Sequence, residues 1–166
     1  METINNRKST FLNFFKKYRY ILTGLFFLIG FSLITHSPKN IVPENTQYVS
    51  IAGQKIKVEL ALTPKEHSQG LSGKTSLKEN EGMLFIFEKL GQYSFWMKDM
   101  NFPIDMIWIG ENKEIIYIKK DARPESYPET FGPSSDDNKA KYVLEVSAGF
   151  SDKNNLKIGD IIGFTN

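Results

Sequence analysis

Lys55-Ile56-Lys57-Val58-Glu59-Leu60-Ala61-Leu62 alternates almost without a break. Ile56, Val58, Leu60 and Leu62 fall on one face and mostly charges on the other, which is the period-2 signature of a half-buried β-strand. Upstream, Ala52-Gly53-Gln54 turns the chain back on residues 48–51, so a hairpin is predicted. Downstream, Thr63-Pro64-Lys65-Glu66 satisfies three helix-start rules together: Thr as N-cap, Pro at the first helical position, and Glu three residues after the cap to close a capping box. Gly70 ends that helix after about two turns. Thr63 and Glu66 are thereby fully employed in structure and receive no catalytic assignment.

Further strands are predicted at residues 83–87, 93–97, 104–109, 114–119, 141–146 and 160–164, with Gly110-Glu111-Asn112-Lys113 as a hairpin connection. Residues 121–139, with Pro124, Pro128, Gly132, Pro133 and the run Ser134-Ser135-Asp136-Asp137-Asn138, read as a long loop of the kind that is functional or mobile. The predicted fold is mainly β (α+β with one or two short helices), a compact, mainly antiparallel sandwich or open barrel, preceded by one N-terminal hydrophobic helix.

The 166 residues allow one domain and a short appendage. With 24% charged and 40% hydrophobic residues the chain is neither a disordered polyelectrolyte nor a polytopic membrane protein. The absence of Cys removes disulfides, thiolate nucleophiles, Fe–S clusters and Cys-type zinc sites, and two His residues rule out a His-rich metal cage. No metal and no cofactor is expected.

Residues 20–34 carry no charge and follow Arg7, Lys8, Lys16, Lys17 and Arg19. Fifteen uncharged residues fall short of the ~20 that cross a bilayer squarely, but Tyr18 and Thr35 extend the run and Lys17 and Arg19 can snorkel. The segment reads as a transmembrane anchor or an uncleaved signal. A cleaved signal peptide competes with this reading, although Thr35-His36-Ser37 is a poor cleavage site. The positive-inside rule keeps the N-terminus in the cytoplasm and puts the rest outside. The expected organisation is a cytoplasmic basic stub at 1–19, the anchor at 20–35, a linker at 36–47 and an extracytoplasmic β domain at 48–166. The protein is then a single-pass membrane protein, or secreted if the segment is cleaved. Removing the five leading basic residues and Glu2 from the totals of 21 and 19 leaves 16 basic and 18 acidic residues, so no nucleic-acid partner is expected. Nothing in the sequence fixes an oligomeric state.

Ile104-Asp105-Met106-Ile107-Trp108-Ile109 is apolar on both faces and reads as a central strand that Asp105 interrupts. A lone buried carboxylate there costs several kcal/mol unless it is paired or hydrogen-bonded. Asp105 therefore either ties down the backbone of the Phe102-Pro103 turn or serves a pocket, and in both cases needs a partner. Lys98, a few residues upstream across the turn, is the first candidate, with Asp99 pointing to solvent or to the loop. Glu145 shares one face of its strand with Lys141 and Val143 while Tyr142, Leu144 and Val146 share the other. It reads either as a solvent-facing residue or, given Val143 beside it, as a buried acid. His67 sits among polar neighbours and is expected to be exposed, and an acyl-transfer triad around it is a weak reading.

Several blocks together are similar to the DUF192 (UPF0127) family: Gln69-Gly70-Leu71-Ser72-Gly73-Lys74, Gly82-Met83-Leu84-Phe85-Ile86-Phe87, Phe95-Trp96-Met97-Lys98-Asp99-Met100, Phe102-Pro103-Ile104-Asp105, Tyr142-Val143-Leu144-Glu145-Val146 and Gly159-Asp160. The resemblance spans residues 58–164, and its Trp-Met-Lys and Pro-Ile-Asp blocks are specific. It implies a compact, mainly β, often exported domain and by position singles out Lys98, Asp105 and Glu145. Where the family often carries Arg-Gly-Leu-Met with a further Arg, this chain has Gln69, Ser72 and Lys74, so an Arg-dependent anion site does not carry over. Asp99 likewise stands where the family often has Asn.

The expected site is a polar pocket formed by Lys98, Asp99, Asp105 and Glu145 with Trp96 and Tyr142 as aromatic walls, taking a small polar ligand from the cell envelope. The alternative is an envelope hydrolase or lyase that uses Asp105 and Glu145 as an acid–base pair. A third reading is an assembly or stability factor acting through its surface.

Overall fold

The computed structural model describes residues 46–135 and 138–166. The expected stub, anchor and most of the linker lie outside the described residues, and among those described no helix is long and apolar enough to cross a membrane.

Among the described residues the chain forms nine strands: β1 (Tyr48–Ile51), β2 (Gln54–Ala61), β3 (Glu81–Gly91), β4 (Phe95–Trp96), β5 (Ile104–Ile109), β6 (Ile115–Ala122), β7 (Thr130–Phe131), β8 (Ala140–Ser147) and β9 (Gly163–Thr165). Two short helices accompany them, α1 (Pro64–Gln69) and α2 (Phe150–Lys153), with a 3-10 turn at Pro124–Ser126. Seven strands make one sheet in the order β6-β5-β8-β3-β2-β1-β9, while β4 and β7 pair separately as a small ribbon. The sheet curls into a half-barrel. Its far edges meet where Glu114 bridges Ile161, Ile115 N–H donates to Asp160 at 2.9 Å and Ile162 N–H donates to Lys113 at 2.9 Å.

The opening hairpin pairs Ile51 with Gln54 across the predicted turn, and Ala52 and Gly53 there both adopt positive φ. The helix start is as predicted: Thr63 accepts from Glu66 N–H, and Glu66 Oε2 accepts from Thr63 N–H at 2.8 Å. One pairing departs from the antiparallel expectation. β2 and β3 run parallel, with Val58 opposite Gly82 and Leu60 opposite Leu84. A parallel neighbour needs a long crossover, and α1 with the loop behind it supplies the connection. The predicted long loop is also partly structured, because Phe131 pairs with Phe95 in the β4–β7 ribbon.

The central strands β3, β5 and β8 are buried on both faces, which explains the two-sided apolar run 104–109: all six residues are buried. The concave face packs Val49, Ile56, Leu84, Ile107, Leu144 and Val146. The opposite face packs Met83, Phe85, Met106, Trp108 and Val143 beneath Met97 and Phe131. Phe95 stands edge-on to Phe85 and Trp108, so the ribbon segment lies over this second face.

Candidate functional site

Register decides which polar residues meet. On β8, Val146 lies opposite Asp105 and Glu145 opposite Met106 of β5. Since successive side chains of a strand point to opposite faces, Asp105 and Tyr142 belong to the concave face and Glu145 to the ribbon-covered face. Tyr142 is 1% exposed and packs against Phe164 at 5.0 Å in the concave core. It walls no cleft around Glu145.

Asp105 is fully buried and accepts three backbone N–H groups: Asp121 at 2.9 Å and Gly149 at 3.2 Å on Oδ1, and Ser151 at 2.8 Å on Oδ2. Asp121 and Gly149 sit at φ 47° and 84°, backbone turns that aim their amides inward. The carboxylate ties the end of β6 to the start of α2, and charge-assisted bonds of this kind are strong enough to hold a buried acid. The partner differs from the expected cation because Lys98 sits in the ribbon segment over the opposite face. Lys98 and Asp99 are both exposed, and among the described residues Lys98 makes no ion pair. Their contribution comes through the backbone: Ser72 Oγ donates to Lys98 O at 2.8 Å and Gly73 N–H to Asp99 O at 2.9 Å. Asn101 Nδ2 donates to Lys74 O at 2.9 Å, so this segment is stitched to the loop after α1.

Between that loop and the ribbon opens a cleft of about 210 Å³. One wall runs from His67 to Ser72, the other carries Tyr93, Phe95, Trp96 and Met100, and Phe85, Phe87 and Glu145 form the floor. Tyr93 stacks on Phe87 with ring centroids 3.5 Å apart, its hydroxyl donates to Lys89 O, and its own carbonyl accepts from Trp108 Nε1 at 2.7 Å. Trp96 stands at the mouth, 50% exposed.

Glu145 is 4% exposed, and its Oε2 is buried without a hydrogen-bond partner. Desolvation alone pushes its pKa up to about 8, so the acid is mostly protonated at neutral pH. Gly70 lies directly over it. At φ 50° and ψ −137° it holds a backbone conformation that suits glycine, and a Cβ there would come within 3.3 Å of Phe85 and 3.9 Å of Oε2. Among the described residues no three His, Asp or Glu side chains are grouped to hold a metal.

Of the expected site residues, Glu145 and Trp96 therefore line one cleft. Lys98 and Asp99 help shape its rim from outside, and Asp105 and Tyr142 belong to the other face. Several cleft residues escaped sequence reasoning. His67 is half-buried rather than exposed: its Nε2 lies 3.0 Å from Ala61 O and its ring 4.6 Å from that of Phe87. Its polar neighbours in sequence hid a partner that comes from β3. Phe85 and Phe87, and Tyr93 and Phe95, did carry a signal, since each pair has the period-2 spacing that puts two rings on one face.

The fold and sequence have solved counterparts. A protein of unknown function from Novosphingobium aromaticivorans is 26% identical, with a TM-score of 0.66 over 73% of this chain and 89% of that one. A putative transcription regulator from Sinorhizobium meliloti is 28% identical, with a TM-score of 0.63 over 70% and 90%. Comparison with curated proteins finds no match. The DUF192 family model, described as "Uncharacterized ACR", matches residues 47–164. The blocks around Gly70, Trp96, Asp105 and Glu145 thus lie within that match, and the chain belongs to the DUF192 family.

Proposed function

We propose that the β domain binds a small ligand of the cell envelope in the cleft above Glu145, and that the hydrophobic segment at 20–35 holds it outside the cytoplasmic membrane. One observation carries the binding reading: a buried carboxyl with an unpartnered Oε2 at the floor of an aromatic cleft. Buried polar groups are almost always satisfied, and an exception calls for an explanation. A ligand that bonds Glu145 and covers the rings of Phe85, Phe95 and Trp96 supplies one. Apolar walls with one or two converging polar groups are the usual composition of small-molecule sites. The alternative, a hydrolase or lyase with Asp105 and Glu145 as its carboxylate pair, is disfavoured by their position on opposite faces of the sheet.

A thermal-shift screen of the full chain against envelope-type small molecules tests the reading, because a ligand selective for the native state raises its melting temperature. Hits whose shift disappears in Trp96→Ala support the cleft. A screen without hits, or with hits indifferent to Trp96→Ala and Glu145→Gln, overturns it. For the tether, full-length protein in the membrane pellet with its β domain open to added protease is expected. A shortened soluble product beginning near residue 37 would replace anchoring by secretion.

A further inference from the structure

We propose that the ligand carries an organic ammonium group, seated against the Glu145 carboxylate and surrounded by the rings of Phe85, Phe95 and Trp96. This deepens the small-ligand reading and rests on it. The first argument is charge. Neither Lys nor Arg lines the cleft, so the acid at its floor has no cation of its own. Of the lysines on this side, Lys74 is paired with Glu59 at 2.6 Å and Lys141 donates to Glu88 O at 2.7 Å, while Lys98 is exposed in the rim segment and outside the cleft lining. The second argument is the wall. Phe85 and Phe95 meet edge to face at 4.8 Å, and the exposed Trp96 stands at the mouth. Aromatic faces attract a cation through their quadrupole, most strongly where water is excluded. An anion finds neither a Lys nor an Arg side chain in the lining, and an acid at the floor.

Binding has a definite proton balance. The free protein holds Glu145 as the neutral acid; the ammonium enters with its own proton, the carboxyl ionises, and one H⁺ leaves to solvent. The other titratable groups in the cleft are His67, held beside Ala61 O, and Tyr93, bonded to Lys89 O. Glu59 lies on β2, two strands from Glu145 across β3, already paired with Lys74.

The experiment is an NMR titration of the full chain with benzylamine and with benzyl alcohol, which match in shape and differ in charge, followed by calorimetry in two buffers of different ionisation enthalpy. Benzylamine is expected to shift the Gly70, Ser72 and Trp96 signals, to bind at least tenfold tighter than the alcohol and to release close to one proton. Its affinity should rise about tenfold per pH unit between pH 6 and 7 and flatten above pH 8, as Glu145 becomes ionised in the free protein as well. Glu145→Gln abolishes that slope and weakens the amine at least tenfold, whereas His67→Gln retains the slope. Trp96→Ala, at an exposed position with little bearing on folding, weakens the amine severalfold. If the alcohol binds as tightly, or binding weakens as pH rises, the ammonium assignment is overturned while the cleft survives as a site for neutral hydrogen-bond acceptors. If neither compound moves the cleft signals, the ammonium assignment and the small-ligand reading both fall.

Discussion

Asp105 and Glu145 are both buried acids on neighbouring strands of one sheet, yet their surroundings are opposites. Asp105, on the concave face, receives three backbone N–H donors from β6 and the start of α2. Glu145, on the ribbon-covered face, has an orphaned oxygen and a pKa raised to about 8. The first carboxylate is part of the scaffold and the second is left available. Burial by itself therefore does not mark a functional acid, and the proposed site rests instead on burial without a partner at the floor of a cleft.

The contrast is broken most severely at Asp105. Asp105→Ala strands three backbone donors, one fully and two partly buried, and at about 1 kcal/mol or more for each a loss of at least about 3 kcal/mol is expected in denaturant unfolding. Asp105→Asn retains an acceptor for two of the three amides and should lose less, about 1–3 kcal/mol. An unchanged midpoint for either variant would refute the structural role. Next comes Gly82, where an added Cβ would lie 2.7 Å from Glu145 O. Gly82→Ala must push β8 away from β3, with an expected cost of about 1–3 kcal/mol by the same unfolding assay.

The Glu145 side of the comparison is sharpened by pH. The folded state keeps a proton that the unfolded chain releases near pH 4.5, so between that pH and about 8 the unfolded state binds fewer protons and stability falls as pH rises. The burial penalty is absent below this window and complete above it. Within it, raising the pH from 6 to 7 should cost up to ~1.4 kcal/mol. In Glu145→Gln this slope should vanish, and a slope as steep as in the native protein would place its origin in another group. The smallest effect is expected for Trp96→Ala, within about 0.5 kcal/mol in stability, while ligand shifts are lost. A larger loss of stability would make Trp96 part of the scaffold.

Much of the fold was legible because it is local. The alternation at 55–62 specified a strand, the Thr63-Pro64-Lys65-Glu66 start specified a helix, and the two-sided apolar run at 104–109 specified a central position in the sheet. The site was legible only in part. Glu145 and Trp96 stood out as candidates, but Lys98 seemed close to Asp105 because a few residues and a turn separate them. That short sequence distance concealed a change of face, since the ribbon segment crosses over one side of the sheet and the Asp105 side chain points to the other. His67 was misjudged for the same reason: its polar sequence neighbours say nothing of Phe87, which arrives from β3.

By its own pattern the chain determined that residues 48–166 form strands and a capped helix, and that any acid within the run 104–109 must be satisfied. Only the tertiary structure decided by what. Side-chain period and capping are properties of a few consecutive residues, whereas pairing register, the parallel β2–β3 crossover and the ribbon laid over one face are set by contacts between distant segments. Those contacts delivered three amides to Asp105 and none to the buried Oε2 of Glu145, because backbone donors can reach a side chain only from segments that the fold brings to its face of the sheet.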